Sequence, residues 1–203
     1  MQNLLSSKFL ADRICAGSPG IFPTDTLPAI ATIPGKAKQI WELKHRIKSK
    51  PLILMGHEAE LLFKFIAQPI LSDCYKVGER YWPGALTIIV PASGLIVKEL
   101  NPLGNSIGLR VPACRSTLDL LSRTGPLATS SANISGKYPY LFPHQVSADF
   151  KNIPLLGPLP WPKNTITTGS TIVELYGSGK WKIHRQGTVI FNLSELNNYK
   201  YQD

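Results

Sequence analysis

The chain has 203 residues, a length that suits one domain, or one domain with a short extension, and buries a sizeable core without staples. With 43% hydrophobic and 17% charged residues it reads as an ordinary soluble globular protein, and it contains no internal repeat and no low-complexity segment. The formal net charge of +9 points to anionic partners such as nucleotides or RNA; a merely basic surface gives the same figure, and charge speaks to association rather than to fold.

Cys15, Cys74 and Cys114 are far apart and form no CxxC pair, so a disulfide framework is not expected and a reducing compartment is. The N-terminus lacks a charged region followed by a long apolar run, so no signal peptide is read there. No segment approaches the roughly 18 apolar residues of a membrane helix, and a cytoplasmic location is the expectation.

In chain order, Leu4 to Ala16 has a helical spacing of apolar residues, with Ser6 and Ser7 as caps, and Gly17-Ser18-Pro19-Gly20 breaks it. Ile21-Phe22 predicts a short buried strand ending at Pro23-Thr24-Asp25-Thr26, a place for a ligand site or for a plain Asx turn. Gly35 to Arg46 predicts a helix that runs into Lys44, Arg46, Lys48 and Lys50, the densest basic cluster in the chain. Those cations either complement the helix dipole or clamp a phosphate. Leu52 to Met55 predicts a strand, Glu58 to Ile66 and Leu71 to Tyr81 helices, and Leu86 to Val90 a buried strand after Trp82-Pro83-Gly84. Ser93 to Asn105 is unclear. Ser106 to Val111 predicts a strand with Arg110 near its end, and Leu118 to Leu121 belongs to a helix capped near Ser116.

Gly125 to Gly136, GPLATSSANISG, then brings Ser130, Ser131 and Asn133 together among small residues. Small side chains let a ligand approach the backbone, and hydroxyl and amide groups supply neutral donors and acceptors. The same residues suit a strand end running into an N-capped helix. Lys137 to Pro143 reads as a loop, His144 to Phe150 as a short helix and Ile153 to Gly169 as a surface excursion or flap. Ser170 to Leu175 and Trp181 to Arg185 read as strands, with a last short run at Val189 to Phe191. One domain over residues 1–191 and a polar tail over 192–203 are expected, and alternating helices and strands predict an α/β (α+β) fold. GxxxxGK[ST], GxGxxG after a strand, a GxSxG elbow, metal-ligand spacing among His45, His57, His144 and His184, and RNA-binding aromatic signatures are all absent.

Seven segments in order resemble the YrdC-type domain of threonylcarbamoyl-AMP synthases: FPTDTL, KHRIKSKPL, YWPGALTIIV, SIGLRVP, TSSANISG, STIVEL and HRQG. The resemblance covers about Leu4 to Gly187. It implies a twisted mixed parallel and antiparallel sheet flanked by helices. The implied reaction is a nucleotidyl transfer that makes threonylcarbamoyl-AMP and pyrophosphate from L-threonine, bicarbonate and ATP, for modification of tRNA by a downstream transfer machinery. It implies that Lys44 and Arg46 carry the catalysis and, with Lys50, face the ATP phosphates, and that Ser106, Ser131, Asn133 and Arg185 contact the nucleotide. Thr24, Thr26, Arg110, Thr129 and Ser170 would hold threonine, Arg110 being a natural partner for its carboxylate. Magnesium would accompany the ATP without a dedicated protein cage.

The chain departs from the family pattern at Leu27-Pro28-Ala29-Ile30, where Val-Tyr-Gly-Leu is usual, at Ile47, at Met55, where many members carry His, and at Tyr138-Pro139. It looks like the short, single-domain form. Two competing readings stay open: a non-catalytic RNA-binding or ribosome-associated member that uses the same basic concavity, and, given the Pro28 change, a diverged carbamoyl-adenylate enzyme with another acceptor. RNA or tRNA binding is expected to be weak and salt-sensitive, whereas sequence-selective tRNA binding that persists at high salt would favour the RNA-binding member.

Overall fold

The apolar runs of the chain pair into one mixed sheet. The computed structural model describes residues 3–66, 68–162 and 168–192. Its strands are β1 (Leu4–Leu5), β2 (Gly20–Phe22), β3 (Ala29–Thr32), β4 (Ile53–Met55), β5 (Leu86–Pro91), β6 (Ser106–Arg110), β7 (Leu127–Ser131), β8 (Leu155–Leu156), β9 (Thr171–Gly177) and β10 (Lys180–Arg185). The helices are α1 (Ser7–Cys15), α2 (Lys38–Leu43), α3 (Ala59–Phe63), α4 (Gln68–Tyr81), α5 (Leu95–Leu100), α6 (Arg115–Thr124) and α7 (Pro143–Asp149). The strand order is β1-β8-β2-β3-β7-β4-β6-β5-β9-β10. Pairs β1/β8, β2/β8, β4/β6 and β5/β9 are parallel. Pairs β2/β3, β3/β7, β4/β7, β5/β6 and β9/β10 are antiparallel. The mixed, helix-flanked sheet is the expected fold.

Successive residues of a strand face opposite ways, and here the two faces have separate cores. Ile30, Leu54, Ile88, Leu109, Ala128 and Val173 point into the larger core, under Ile40 and Trp41 of α2, Leu62 and Phe63 of α3 and Cys74 and Val77 of α4. Phe22, Ala29, Ala31, Met55 and Leu127 point the other way, against Leu10, Ala11 and Ile14 of α1 and Leu120 and Leu121 of α6. Each face is therefore covered, but α1 and α6 cover only part of the second one.

Several local expectations are corrected. Leu4 and Leu5 pair as β1 with β8 before the helix begins, because their backbone completes the sheet edge. Strand β3 stands where no strand is expected; its alanines are the small residues that admit α1 and α6 to the sheet. Leu95 to Leu100 forms a helix within the unclear stretch. Helix α6 starts after Cys114, with no side-chain cap, rather than near Ser116. Leu155 and Leu156, expected in a surface excursion, are buried as β8; positions 163–167 of that stretch lie outside the described residues. No helix follows β7 directly, and the next begins at Pro143. Val189 to Phe191 forms no strand; the Val189 carbonyl instead accepts from Thr171 Oγ1 at 2.6 Å. Beyond Asn192 the expected tail lies outside the described residues.

The chain after β10 folds back tightly. The Gly187 N–H donates to Thr171 Oγ1 at 2.9 Å, and a Cβ at Gly187 would sit 2.4 Å from the Gly169 carbonyl oxygen and 2.5 Å from the Thr171 nitrogen. Both neighbours are backbone and cannot turn aside. Gly187→Ala is therefore expected to cost more than about 2 kcal/mol in denaturant unfolding, as an overpacked site does. A loss under about 0.5 kcal/mol would show that this crossing is loose.

Candidate functional site

The uncovered part of the second face is the floor of a cleft of about 390 Å³. Its floor is built by alternation: Ile53 and Met55 of β4, Thr87 and Ile89 of β5, Ser106, Gly108 and Arg110 of β6, and Thr129 and Ser131 of β7 all line it. Their neighbours in sequence fill the core on the other side. Gly108 sits at mid-floor, between Ile53 and Ile89 in the register.

The register also gives the floor two ends. Ser106 and Arg110 lie four residues apart on β6, roughly 13 Å at strand rise. The chain entering β4 passes Lys50, Pro51 and Leu52 at the Ser106 end, because β4 is parallel to β6 with Ile53 beside Gly108. Antiparallel β7 brings Ser131 to that same end, since Ile53 pairs with Thr129 and Met55 with Leu127. At the other end, β9 runs parallel to β5 with Thr171 beside Leu86, so Ser170 and Gly169 stand near Arg110. The cleft's walls also include Thr24, Thr26, Arg46, Lys50 and Arg185.

At the first end, the basic segment is shaped by the close of α2. The His45 N–H donates to the Glu42 carbonyl and the Arg46 N–H to the Trp41 carbonyl, with His45 at φ 49°, the arrangement of a Schellman motif. The usual residue there is glycine; histidine is among the side chains that tolerate that region. The reversal sends Lys44 inward and Arg46 toward the cleft. Arg46 Nε donates to the Lys50 carbonyl at 3.1 Å and Nη2 to the Pro51 carbonyl at 3.0 Å, which curls the loop around the guanidinium. Trp41 Nε1 also donates to the Lys50 carbonyl, at 3.1 Å.

Lys44 is 1% exposed and does not line the cleft. Its Nζ donates to the Ser131 carbonyl and, at 2.6 Å, to the Asn133 carbonyl. The Ser135 N–H returns a bond to the Lys44 carbonyl at 2.9 Å. Asn133 likewise faces its own loop: its Oδ1 accepts from Ser131 Oγ at 2.6 Å, and its Nδ2 donates to the Ile134 and Lys137 carbonyls at 3.0 Å each. The expectation that Ser131 and Asn133 aim together at one ligand is thus corrected. β7 ends at Ser131, so strand alternation no longer governs Asn133, which staples the loop while Ser131 lines the cleft.

At the second end, Arg110 is 5% exposed. It donates from Nε to the Gly84 carbonyl at 3.2 Å, from Nη1 to Thr26 Oγ1 at 3.0 Å and from Nη2 to Asp25 Oδ1 at 2.7 Å. Thr24 and Thr26 are ordered by their own turn: Thr24 Oγ1 donates to the Leu27 carbonyl at 2.7 Å and accepts from the Thr26 N–H at 3.0 Å. Thr129 Oγ1 donates to the Ile53 carbonyl at 3.1 Å. Arg185 holds the Ser170 carbonyl from Nε at 3.0 Å and Nη2 at 2.8 Å, so it stands at the Arg110 end rather than beside Ser106 and Ser131. Of the twelve residues expected from sequence, all but Lys44 and Asn133 line the cleft. Sequence reasoning missed Thr87, whose only sequence signal is a lone hydroxyl in an apolar strand. It also gave no specific role to Asp25, although the carboxylate stands inside the Pro-Thr-Asp-Thr segment.

Burial lowers the basicity of Arg46 and Arg185. It does so at Arg110 as well, where Asp25 opposes the effect and Arg185 adds to it. The guanidinium groups stay charged at any working pH. Lys44 is different: burial, then Arg46, pull its amine down to about 7. A neutral amine and an ammonium can both donate to two carbonyls, so the hydrogen bonds survive either state. Between about pH 7 and an ordinary lysine's 10.5 the unfolded chain binds the extra proton, so Lys44 makes the fold more stable as pH rises through that window. Denaturant unfolding of the parent and of Lys44→Met from pH 6 to 10 checks this. The parent should gain on the variant above pH 7, by up to about 1.4 kcal/mol per pH unit. A pH-independent difference would mean an ordinary lysine.

A family model described as "Telomere recombination" (Sua5_yciO_yrdC) matches residues 12–187. The chain is 34% identical over 147 residues to the threonylcarbamoyl-AMP synthase of Pyrococcus abyssi, a match that takes in 70% of this chain and 43% of that protein. It is 29% identical over 199 residues to the mouse (Mus musculus) threonylcarbamoyl-AMP synthase, over 92% of this chain and 68% of the relative. The crystal structure of P. abyssi Sua5 complexed with L-threonine superposes with a TM-score of 0.76 at 28% identity, over 83% of this chain and 50% of that one. The match thus spans less than half the length of the archaeal relative. With the family match running through every element that builds the cleft, the chain belongs to the Sua5/YciO/YrdC family.

Proposed function

We propose that this protein is a threonylcarbamoyl-AMP synthase, a nucleotidyltransferase that condenses L-threonine, bicarbonate and ATP into threonylcarbamoyl-AMP with release of pyrophosphate. One observation carries the reading: a single cleft has cations and hydroxyls at one end, Arg46, Lys50, Ser106 and Ser131, and a buried arginine among hydroxyls at the other, Arg110 with Thr24, Thr26 and Ser170. An acidic triphosphate suits the first end and an amino-acid carboxylate the second. The roughly 13 Å between them is the scale of an amino acid joined to a nucleotide phosphate. Relatives bearing the synthase name and the threonine complex of P. abyssi Sua5 support the same reading.

The work of the chain is mainly positional. Bicarbonate loses water to give carbon dioxide, the threonine amine adds to it and gives up a proton to form a carbamate, a carbamate oxygen attacks the α-phosphorus of ATP, and the bond to the β-phosphate breaks to release pyrophosphate. Arg46 and Lys50 offset the phosphate charge and Arg110 orients the carboxylate. Lys44 acts through the Ser131–Asn133 loop that it holds. Magnesium enters with the ATP phosphates: among the described residues the cleft lining contains no carboxylate, and nearby Asp25 is engaged by Arg110, so these residues offer cations and hydroxyls rather than a metal cage. The product would pass to a tRNA-modifying transferase.

The test is incubation of the protein with ATP, magnesium, bicarbonate and labelled threonine. The expected outcome is threonine-dependent pyrophosphate release and a labelled adenylate. Arg46→Ala should weaken ATP binding by roughly tenfold or more, the loss of one charge-assisted contact of about 1.5–3 kcal/mol. Pyrophosphate release without dependence on threonine would point to another acceptor. Unchanged ATP affinity in a folded Arg46→Ala would remove the phosphate end of the proposal.

A further inference from the structure

Strand β5 reads Leu86-Thr87-Ile88-Ile89-Val90-Pro91, and Thr87 is its one polar side chain. Thr87 is 1% exposed, and its Oγ1 lies 2.8 Å from the Ser170 hydroxyl, itself 2% exposed. Both side chains line the cleft. A hydroxyl buried in a strand interior needs a partner, and valine would fill the same volume without that need. Packing alone therefore does not account for threonine here.

Ser170 is held from two sides. Arg185 fixes its carbonyl through Nε and Nη2, with Nη2 also 3.5 Å from Ser170 Oγ. Thr87 fixes its hydroxyl. Gly169 makes room for this arrangement, since a Cβ there would lie 2.5 Å from Arg185 Nη2. An arginine only donates, so Ser170 Oγ can offer Arg185 nothing but a lone pair. Thr87 is the group that can take or give the hydroxyl proton, and it thereby decides which way the Ser170 O–H points.

We propose that Thr87 is a positioning residue for the amino-acid substrate, aligning the Ser170 hydroxyl at the Arg110 end of the cleft. This rests on the synthase reading. When Thr87 donates to Ser170, the Ser170 proton is left to point at a carboxylate or carbonyl oxygen of the bound amino acid. Without the Thr87 hydroxyl, the Ser170 O–H rotates, and each binding event must order it. The effect falls on the amino acid and not on ATP, whose phosphates belong to the Lys50 and Ser106 end.

The experiment is steady-state pyrophosphate release with threonine and ATP varied in turn, on the parent, Thr87→Val, Thr87→Ser, Ser170→Ala and the double variant Thr87→Val/Ser170→Ala. The expected result is a KM for threonine raised about fivefold to tenfold in Thr87→Val, the scale of one neutral hydrogen bond. The KM for ATP should be unchanged, and kcat at saturating threonine should stay within about twofold. Thr87→Ser should restore the parent KM. In the Ser170→Ala background Thr87→Val should add nothing, because the two act as one unit. A merely structural Thr87 would lower the melting temperature without splitting the two KM values, and that result overturns the proposal. Additive effects in the double variant overturn it too. A parent without threonine-dependent turnover sinks the synthase reading and this inference with it, whereas an active parent with a parent-like Thr87→Val sinks this inference alone.

Discussion

A strand turns successive side chains to opposite faces, and that alternation separates this protein's core from its cleft. β6 is the clearest case. Ile107 and Leu109 are buried in the main core, while Ser106, Gly108 and Arg110 form the cleft floor. The same division runs through β4, β5 and β7. A one-residue slip of β6 would bury Ser106 and Arg110 in the apolar core and expose Ile107 and Leu109 to water. The register is therefore fixed by the same pattern that makes the site. α1 and α6 complete the arrangement by covering one part of the cleft face with Leu10, Ile14, Leu120 and Leu121 and leaving the rest open.

Buried away from the cleft, the Lys44 amine joins two segments distant in sequence. It ties the end of α2 to the carbonyls after β7, and Asn133 closes the same loop from within. Small hydroxyl-rich loops are usually mobile, and this one has polar anchors on both sides. The buried amine is costly to charge, and it gives the Asn133 carbonyl a donor and adds a second to the Ser131 carbonyl, which also accepts from the Asn133 N–H at 2.9 Å. Arg46, two residues on, is steered outward by the left-handed His45 and is free of that task.

How much of this the sequence displays depends on the kind of signal. A strand with a strict period, SIGLR, and one that is a continuous β-prone apolar run, LTIIV, show themselves, and so do basic or hydroxyl-rich motifs at their ends. β3 does not: Ala29 and Ala31 have weak strand preference and dilute the signal of Ile30 and Thr32, and the pairing with β2 and β7 decides the conformation. β1 and β8 are two residues each and exist only through one another and β2. Among the site residues, ten of twelve reach the cleft because strand ends and motifs are local properties. Lys44 and Asn133 miss it because their direction depends on the helix reversal at His45 and on the loop after Ser131, which no spacing encodes. Thr87 escapes notice because one threonine in an apolar strand gains meaning only from Ser170, distant in sequence.

The charge balance of the cleft ties fold to function. Burial disfavours the charged state of Lys44, Arg46, Arg110 and Arg185 alike. Among them only Arg110 has a carboxylate partner in an ion pair among the described residues, Asp25 at 2.7 Å. The pair fixes the guanidinium without neutralising the end as a whole, because Arg185 stands nearby and repels it. Such a floor lowers the stability of the fold, since partly desolvated cations lose hydration that other charges do not replace. An anionic ligand restores the balance by supplying the missing counter-charges at both ends. Binding energy and folding energy are then coupled through the same side chains. The cations that weaken the protein by itself are the ones that favour an anion at each end of the cleft.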